Sequence, residues 1–209
     1  MHFCYLARMM AKEDIIAHLT KDARLKVVID STEMHNWTGG GSVYADLLGS
    51  IISQQISVRA AATIQERFLN LFENGYPHVE QVLAFDEEKL RSVGLSRQKA
   101  SYIRNIAEFF KQENLIDYDW SPHQDDEIIK LLTQIKGVGQ WTVEMILMFT
   151  LNRPDILPLD DLGIRQAMIK LYSVAESGRS LKPRLMEIAE SWRPYRTYAC
   201  RYLWKWKDQ

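Results

Sequence analysis

The chain is short of cysteine, of long apolar runs and of net charge, and each shortage closes a class of function. Cys4 and Cys200 are the only cysteines among 209 residues. On their own they supply no disulfide framework, no four-cysteine zinc site and no iron–sulfur cluster. An intracellular, reducing home is expected: cytoplasm and nucleoid, or nucleus in a eukaryote. No uninterrupted apolar run is long enough to span a bilayer, so no membrane partner is expected. The start, "MHFCYLARMMAKEDII", lacks the sustained apolar stretch and small-residue cleavage site of a secretory signal. His2, His18, His35, His78 and His123 show no metal-ligand spacing. Convincing period-2 strands, solenoid-length repeats and low-complexity linkers are missing too.

Net charge is −1, so the overall balance does not point to nucleic acid. Its distribution is more suggestive. Residues 89 to 111 carry six Lys or Arg against one Glu, and "RPYRTYACRYLWKWK" at 193 to 207 carries five basic residues, five aromatics and no acid. Each run reads either as a solvated helix face or as a patch for a phosphate backbone.

What is present is helical periodicity. Val58, Ala61, Ala62, Phe68, Leu69 and Phe72 recur on one face, as do Ala100, Ile103, Ala107 and Phe110. Ile128, Leu131, Leu132 and Ile135 follow the i, i+3, i+4, i+7 spacing. Leu185, Ile188, Ala189 and Trp192 repeat it, and so do Tyr195, Tyr198, Ala199, Tyr202 and Trp206. Turns at 36–42, 73–78, 93–96, 117–126 and 152–161 divide the helices, with Ser42 a candidate N-cap and Asp46 in or near the next first turn. The expected class is all-α, with about ten helices.

Two short stretches carry the chemistry. In "IKGVGQWT", Gly137 and Gly139 flank Val138, so the backbone can turn tightly and approach an outside body. The next helix then aims its first N–H groups at the same spot, where a phosphate is favoured, with Lys136 and Gln140 beside it. The plainer reading is a glycine stop between two helices. In "ILPLDDLGIRQAM", one aspartate suffices to cap the helix that follows, and the second is left over.

These stretches occur in order with "IISQQISVRAA" at 51 to 61, "VGLSRQKASYIRNIA" at 93 to 107 and "WRPYRTYACRYLW" near the end. Together they resemble the helix–hairpin–helix/Gly-Pro-Asp superfamily of DNA base-excision glycosylases, over about residues 43 to 206, and most closely its DNA-3-methyladenine glycosylase II branch. The resemblance implies two interleaved helical subdomains with a cleft between them. A segment at 1–45 would pack with C-terminal helices at 153–209, and a central bundle at 46–152 would carry the hairpin. It implies Asp161 as the catalytic carboxylate and gives Asp160 the capping or orienting role. Hairpin amides would bind DNA phosphate, with Lys136, Gly137, Gly139, Gln140 and Thr142 in contact. No cofactor is required. A monovalent cation, Na⁺ or K⁺, would sit on the carbonyls of Thr133, Ile135 and Val138. The family's usual proline before the first hairpin glycine is Lys136 here.

The resemblance also implies a mode of reaction. Bifunctional relatives carry a nucleophilic Lys two positions after the second hairpin glycine; here that residue is Trp141. With no amine there, base removal would use water and leave an abasic site, without strand cutting. Trp141 and Trp204 would line a pocket for cationic N-alkylated purines such as 3-methyladenine and 7-methylguanine, together with Met145 and Tyr44. At about 100° per residue, Trp204 falls off the apolar stripe of its helix. Lys205 stands where some relatives have an aromatic, and its charge would repel a cationic base. Gln55 falls at the wedge position that fills the gap left by a flipped base, with Gln54 and Ser57 at its sides. The expected partner is damaged double-stranded DNA, bound by a monomer. Two alternatives stay open: a glycosylase for deaminated bases or ethenoadenine, and a non-catalytic DNA-binding module.

Overall fold

Apolar residues spaced three and four apart become helices throughout a computed structural model that describes residues 12–34 and 39–207. Cys4, His2, His35 and the first part of the expected turn at 36–42 lie outside those residues. The helices are α1 (Lys12–Leu19), α2 (Ala23–Ser31), α3 (Val43–Ser53), α4 (Val58–Leu69), α5 (Val79–Ala84), α6 (Glu87–Arg91) and α7 (Arg97–Gln112). They continue with α8 (Asp125–Leu132), α9 (Gln140–Met145), α10 (Leu162–Tyr172), α11 (Leu181–Ala189) and α12 (Arg196–Lys207). A π-helical turn, Ile146–Thr150, extends α9, and 3₁₀ turns lie at Gly178–Ser180 and Glu190–Trp192. Among the described residues no strand occurs, so the chain is all-α.

The chain divides into two compact units: Gly39–Asn152, and the described parts of Met1–Thr38 and Arg153–Gln209 together. The expected boundary after residue 45 falls inside α3. That helix is one hydrogen-bonded element, capped by the Ser42 side chain on Ala45 N–H at 3.4 Å, and a break cannot fall within it. At the ends of the first unit, Asn152 clasps Gly39. Its Oδ1 accepts Gly39 N–H at 2.6 Å and its Nδ2 donates to Gly39 O at 3.2 Å. A Cβ on Gly39 would lie 1.6 Å from Phe149 O, so only glycine passes there.

In the Gly39–Asn152 unit, α7 packs against α3, α5 and α6. The expected stripe on α7 is the buried one: Ala100, Ile103, Ala107 and Phe110 are fully covered, joined by Ile106. α3 buries Leu47, Leu48, Ile51 and Ile52 opposite it. Burial of side chains of this size stabilises by about 1.5–3 kcal/mol each. The stripe expected on α4 is covered only in part: Phe68 and Phe72 are buried, Ala61 and Leu69 half-buried, Val58 and Ala62 exposed. Val58, first residue of the helix, is 88% exposed. In the other unit α10 packs on α2, α11 and α12, and α12 also on α2. Trp192 is fully buried and donates through Nε1 to Asp22 at 3.2 Å. Of the stripe expected along α12 only Ala199 and Tyr202 are buried, with Tyr195, Tyr198 and Trp206 half-buried, while Thr197, Cys200, Arg201 and Leu203 are covered instead.

Candidate active site

α10 begins at the aspartate pair, and the structure divides the two residues differently from the expectation. Asp161, not Asp160, is the N-cap: its Oδ1 accepts Ile164 N–H at 2.8 Å and its backbone is extended (φ −70°, ψ 120°). A side chain can cap only from the residue just outside the first helical turn, so adjacent carboxylates cannot exchange that role. Asp160 instead pairs with Lys182 across an exposed 2.6 Å ion pair.

Trp204, from α12, reaches the same carboxylate. Its Nε1–H donates to Asp161 Oδ1 at 2.8 Å, so one oxygen takes a main-chain and an indole N–H. The indole is half-buried. Gly163 leaves space for this arrangement: a Cβ there would stand 3.1 Å from Asp161 Oδ1 and 3.1 Å from Trp204 Cδ1. Lys205, one residue further on, donates its ammonium to Glu33 O. A charge expected to disturb a cationic ligand is thus bonded to a carbonyl after α2.

The hairpin of the Gly39–Asn152 unit is braced by side chains of α7 that sequence reasoning missed. Gly137 has φ +106°, and a Cβ there would fall 2.3 Å from the Tyr102 ring, so both backbone and space demand glycine. Gln98 Nε2 donates to Tyr102 Oη at 2.6 Å, and Asn105 Nδ2 to Lys136 O at 3.0 Å. Gly139 is different. Its φ of −93° and ψ of 166° suit any residue, and a Cβ would meet nothing within 4 Å. Its open surroundings leave room for an outside body against the backbone. Lys136 and Gln140 are exposed, and Gln140 also donates to Glu144 Oε1 at 2.9 Å. Thr142 is a correction: it is only 3% exposed, so its side chain makes no contact with an outside ligand.

A cation at this hairpin would have to use main-chain oxygens, since no group of three or more His, Cys, Asp or Glu among the described residues could hold a metal. The Ile135 carbonyl accepts Val138 N–H at 3.0 Å, while Thr133 ends α8. Neutral carbonyls of this kind fit a weakly charged ion and not Mg²⁺ or Zn²⁺.

Trp141, in the first turn of α9, is 39% exposed, so a purely core role is excluded. Met145 is half-buried. Tyr44 is a second correction: at 1% exposure it belongs to the core, its ring 5.3 Å from Phe110, and it offers no pocket wall. Burial pushes its phenol well above the usual range, with Tyr76 and Glu80 adding to the effect. In the turn after α3, Gln54 ends the helix and Gln55 is exposed at φ +58°. Lys99 donates to Ile52 O at 2.8 Å and Gln54 O at 2.7 Å, fixing the turn from below. Ser57 caps α4 by accepting Ala60 N–H at 3.3 Å.

Many cations of the two basic runs have partners within the protein. In the first, Arg97 pairs with Glu87 at 2.9 Å, Lys111 reaches Glu80, and Lys99 and Arg104 bond carbonyls. In the second, Arg193 and Arg196 converge on Asp155 at 2.6 and 2.7 Å, and Arg201 is buried.

Comparison with known proteins gives consistent findings. Residues 48–194 match the profile of the HhH-GPD superfamily base excision DNA repair proteins. The chain is 33% identical over 207 residues to DNA-3-methyladenine glycosylase 1 of Schizosaccharomyces pombe, covering 93% of this chain and 90% of that one. A solved structure of the S. pombe 3-methyladenine DNA glycosylase (Mag1) in complex with abasic DNA superposes with a TM-score of 0.77 at 34% identity, over 91% of this chain and 95% of that. The DNA-3-methyladenine glycosidase of Bacillus halodurans gives 0.78 at 33% identity, over 91% and 87%.

Proposed function

The chain belongs to the HhH-GPD superfamily of base excision DNA repair proteins, and from that premise we propose how it acts. It is a DNA glycosylase for alkylated bases, and its substrate is damaged DNA. The observation that carries the reading is Asp161: a carboxylate fixed at a helix start by two N–H donors on one oxygen.

The damaged nucleotide is taken out of the stack, at a cost of a few kcal/mol. Gln55 is the wedge that fills the gap. In support, an exposed non-glycine residue is held at φ +58°, a conformation that costs of order 1–3 kcal/mol and is concentrated at functional sites. Alkylation gives the base a positive charge. An aromatic face attracts that charge by roughly 0.5–2 kcal/mol; Trp204, bonded to Asp161, offers one such face, and the exposed Trp141 is a separate candidate for another. As the N-glycosidic bond breaks, its electron pair leaves with the base and neutralises it. Positive charge develops at C1′, and the Asp161 carboxylate stabilises it and orients the attacking water. Water oxygen then bonds to C1′ and loses a proton, leaving an abasic site.

The reaction is monofunctional. Trp141 stands where a strand-cutting relative would have its nucleophilic lysine, and Lys182 is engaged with Asp160. DNA phosphate is held by hairpin amides beside the open face of Gly139, with Lys136 adding a cation. If a monovalent cation binds there, the carbonyls of Thr133, Ile135 and Val138 hold it, and it supplies positive charge to that phosphate alone. The protein works as a monomer.

The test is release of 3-methyladenine and 7-methylguanine from methylated DNA, wild type beside Asp161→Asn, with strands examined before alkali. Release that vanishes in the variant, with intact strands, is the expected result. DNA binding without release by the wild type would return the protein to a damage-indifferent binding module or a glycosylase for another lesion. Strand cutting would overturn the monofunctional reading.

A further inference from the structure

Two donors meet on Asp161 Oδ1, and only one of them is explained by helix capping. The Ile164 N–H bond at 2.8 Å is the ordinary consequence of an aspartate N-cap. The second donor, Trp204 Nε1–H at 2.8 Å, comes from another helix, and Gly163 leaves the indole its place. We infer that Trp204 is a positioning residue that acts through its indole N–H on Asp161, and that Gly163 is required to let it do so. The inference rests on Asp161 being the catalytic carboxylate.

A single cap bond restrains the carboxylate from one side, whereas two donors from different elements on one oxygen fix the orientation of the group. Charge-assisted bonds of this kind are roughly twice as strong as neutral ones. Several other charged groups on the packed elements are engaged elsewhere. Asp160 is paired with Lys182 of α11, Lys26 and Asp30 of α2 with each other, and Lys205 of α12 with Glu33 O. Arg165, on α10 itself, is half-buried one turn from Asp161.

The decisive variant keeps the ring and removes the donor: Trp204 replaced by 3-benzothienylalanine, whose sulfur stands in place of Nε1–H. Single-turnover base release at saturating enzyme should fall roughly ten- to a hundredfold, the loss of one bond to a charged group. Affinity for methylated DNA should fall far less than the rate, because the ring face that meets the base is kept. Gly163→Ala should show the same pattern more weakly. If the ring alone matters, the analogue will match wild type in rate, and the inference falls while the proposed function stands.

A second readout does not depend on activity. In ¹⁵N-tryptophan-labelled protein the Trp204 Nε1–H should exchange slowly with solvent, and that protection should be lost in Asp161→Ala. An Nε1–H that exchanges equally fast in both proteins would overturn the inference even if no base release were ever found.

Discussion

The hairpin and the aspartate site solve the same problem, rigid presentation of a charged or polar group, in opposite ways. At the hairpin the groups proposed to work are main-chain amides, and side chains stand behind them: Tyr102 against Gly137, Asn105 on Lys136 O. At Asp161 the working group is itself a side chain, held by a main-chain amide and an indole. A backbone grip therefore tolerates change at its outer face and fails when its brace is disturbed. A side-chain site fails at the residue itself.

The sharpest contrast is expected from Asp161→Asn. Asparagine caps helices about as well as aspartate, so thermal unfolding should stay near wild type. Base release should drop by on the order of 10²–10³ or more. A large fall in melting temperature would mean that the aspartate is chiefly structural. Next comes Gly137→Ala. A side chain at φ +106° that also meets the Tyr102 ring should cost about 1–3 kcal/mol in chemical denaturation and weaken DNA binding with it. Binding retained at full strength would show that hairpin shape is not what grips DNA.

Smaller effects separate charge from geometry. Lys136→Ala should weaken binding to damaged and undamaged duplex alike and lower the slope of log affinity against log salt by about 0.9. An unchanged slope would remove Lys136 from the phosphate contacts. Smallest is Gln55→Gly, which relieves a left-handed side chain. It should raise stability by about 1 kcal/mol or less while slowing base release from duplex more than from single strands. Equal slowing on both would argue against a wedge.

The sequence made much of this visible where one element decides the outcome. The stripe on α7 was legible because its contacts repeat with the helix period, and the glycine hairpin because a positive φ leaves few residue choices. Val58 was misplaced because the first residue of a helix stands clear of the packing that later turns make. The capping aspartate was misassigned because a shift of one residue leaves composition and spacing unchanged, and only the bond from Ile164 distinguishes the two. Thr142 and Tyr44 look polar enough for a site, yet tertiary packing covers both. The basic runs were opaque for a similar reason: Asp155, which neutralises Arg193 and Arg196, lies far back along the chain. The indole bond to Asp161 joins residues 43 apart, beyond the reach of any local pattern.

The clasp between Gly39 and Asn152 has a consequence for how the chain is assembled. During synthesis α1 and α2 emerge first and can meet each other, yet the α10 and α12 partners of α2 come only after the whole of Gly39–Asn152 has been made. Until that segment folds, its ends wander as the termini of a long loop, and bringing them together carries the corresponding entropy. Once it folds, Asn152 holds Gly39 by both amide atoms. To the flanking unit the insertion then counts as little more than a turn. With the ends of the insertion held side by side by one asparagine, the chain entropy of joining the two halves of the other unit falls to that of a short loop.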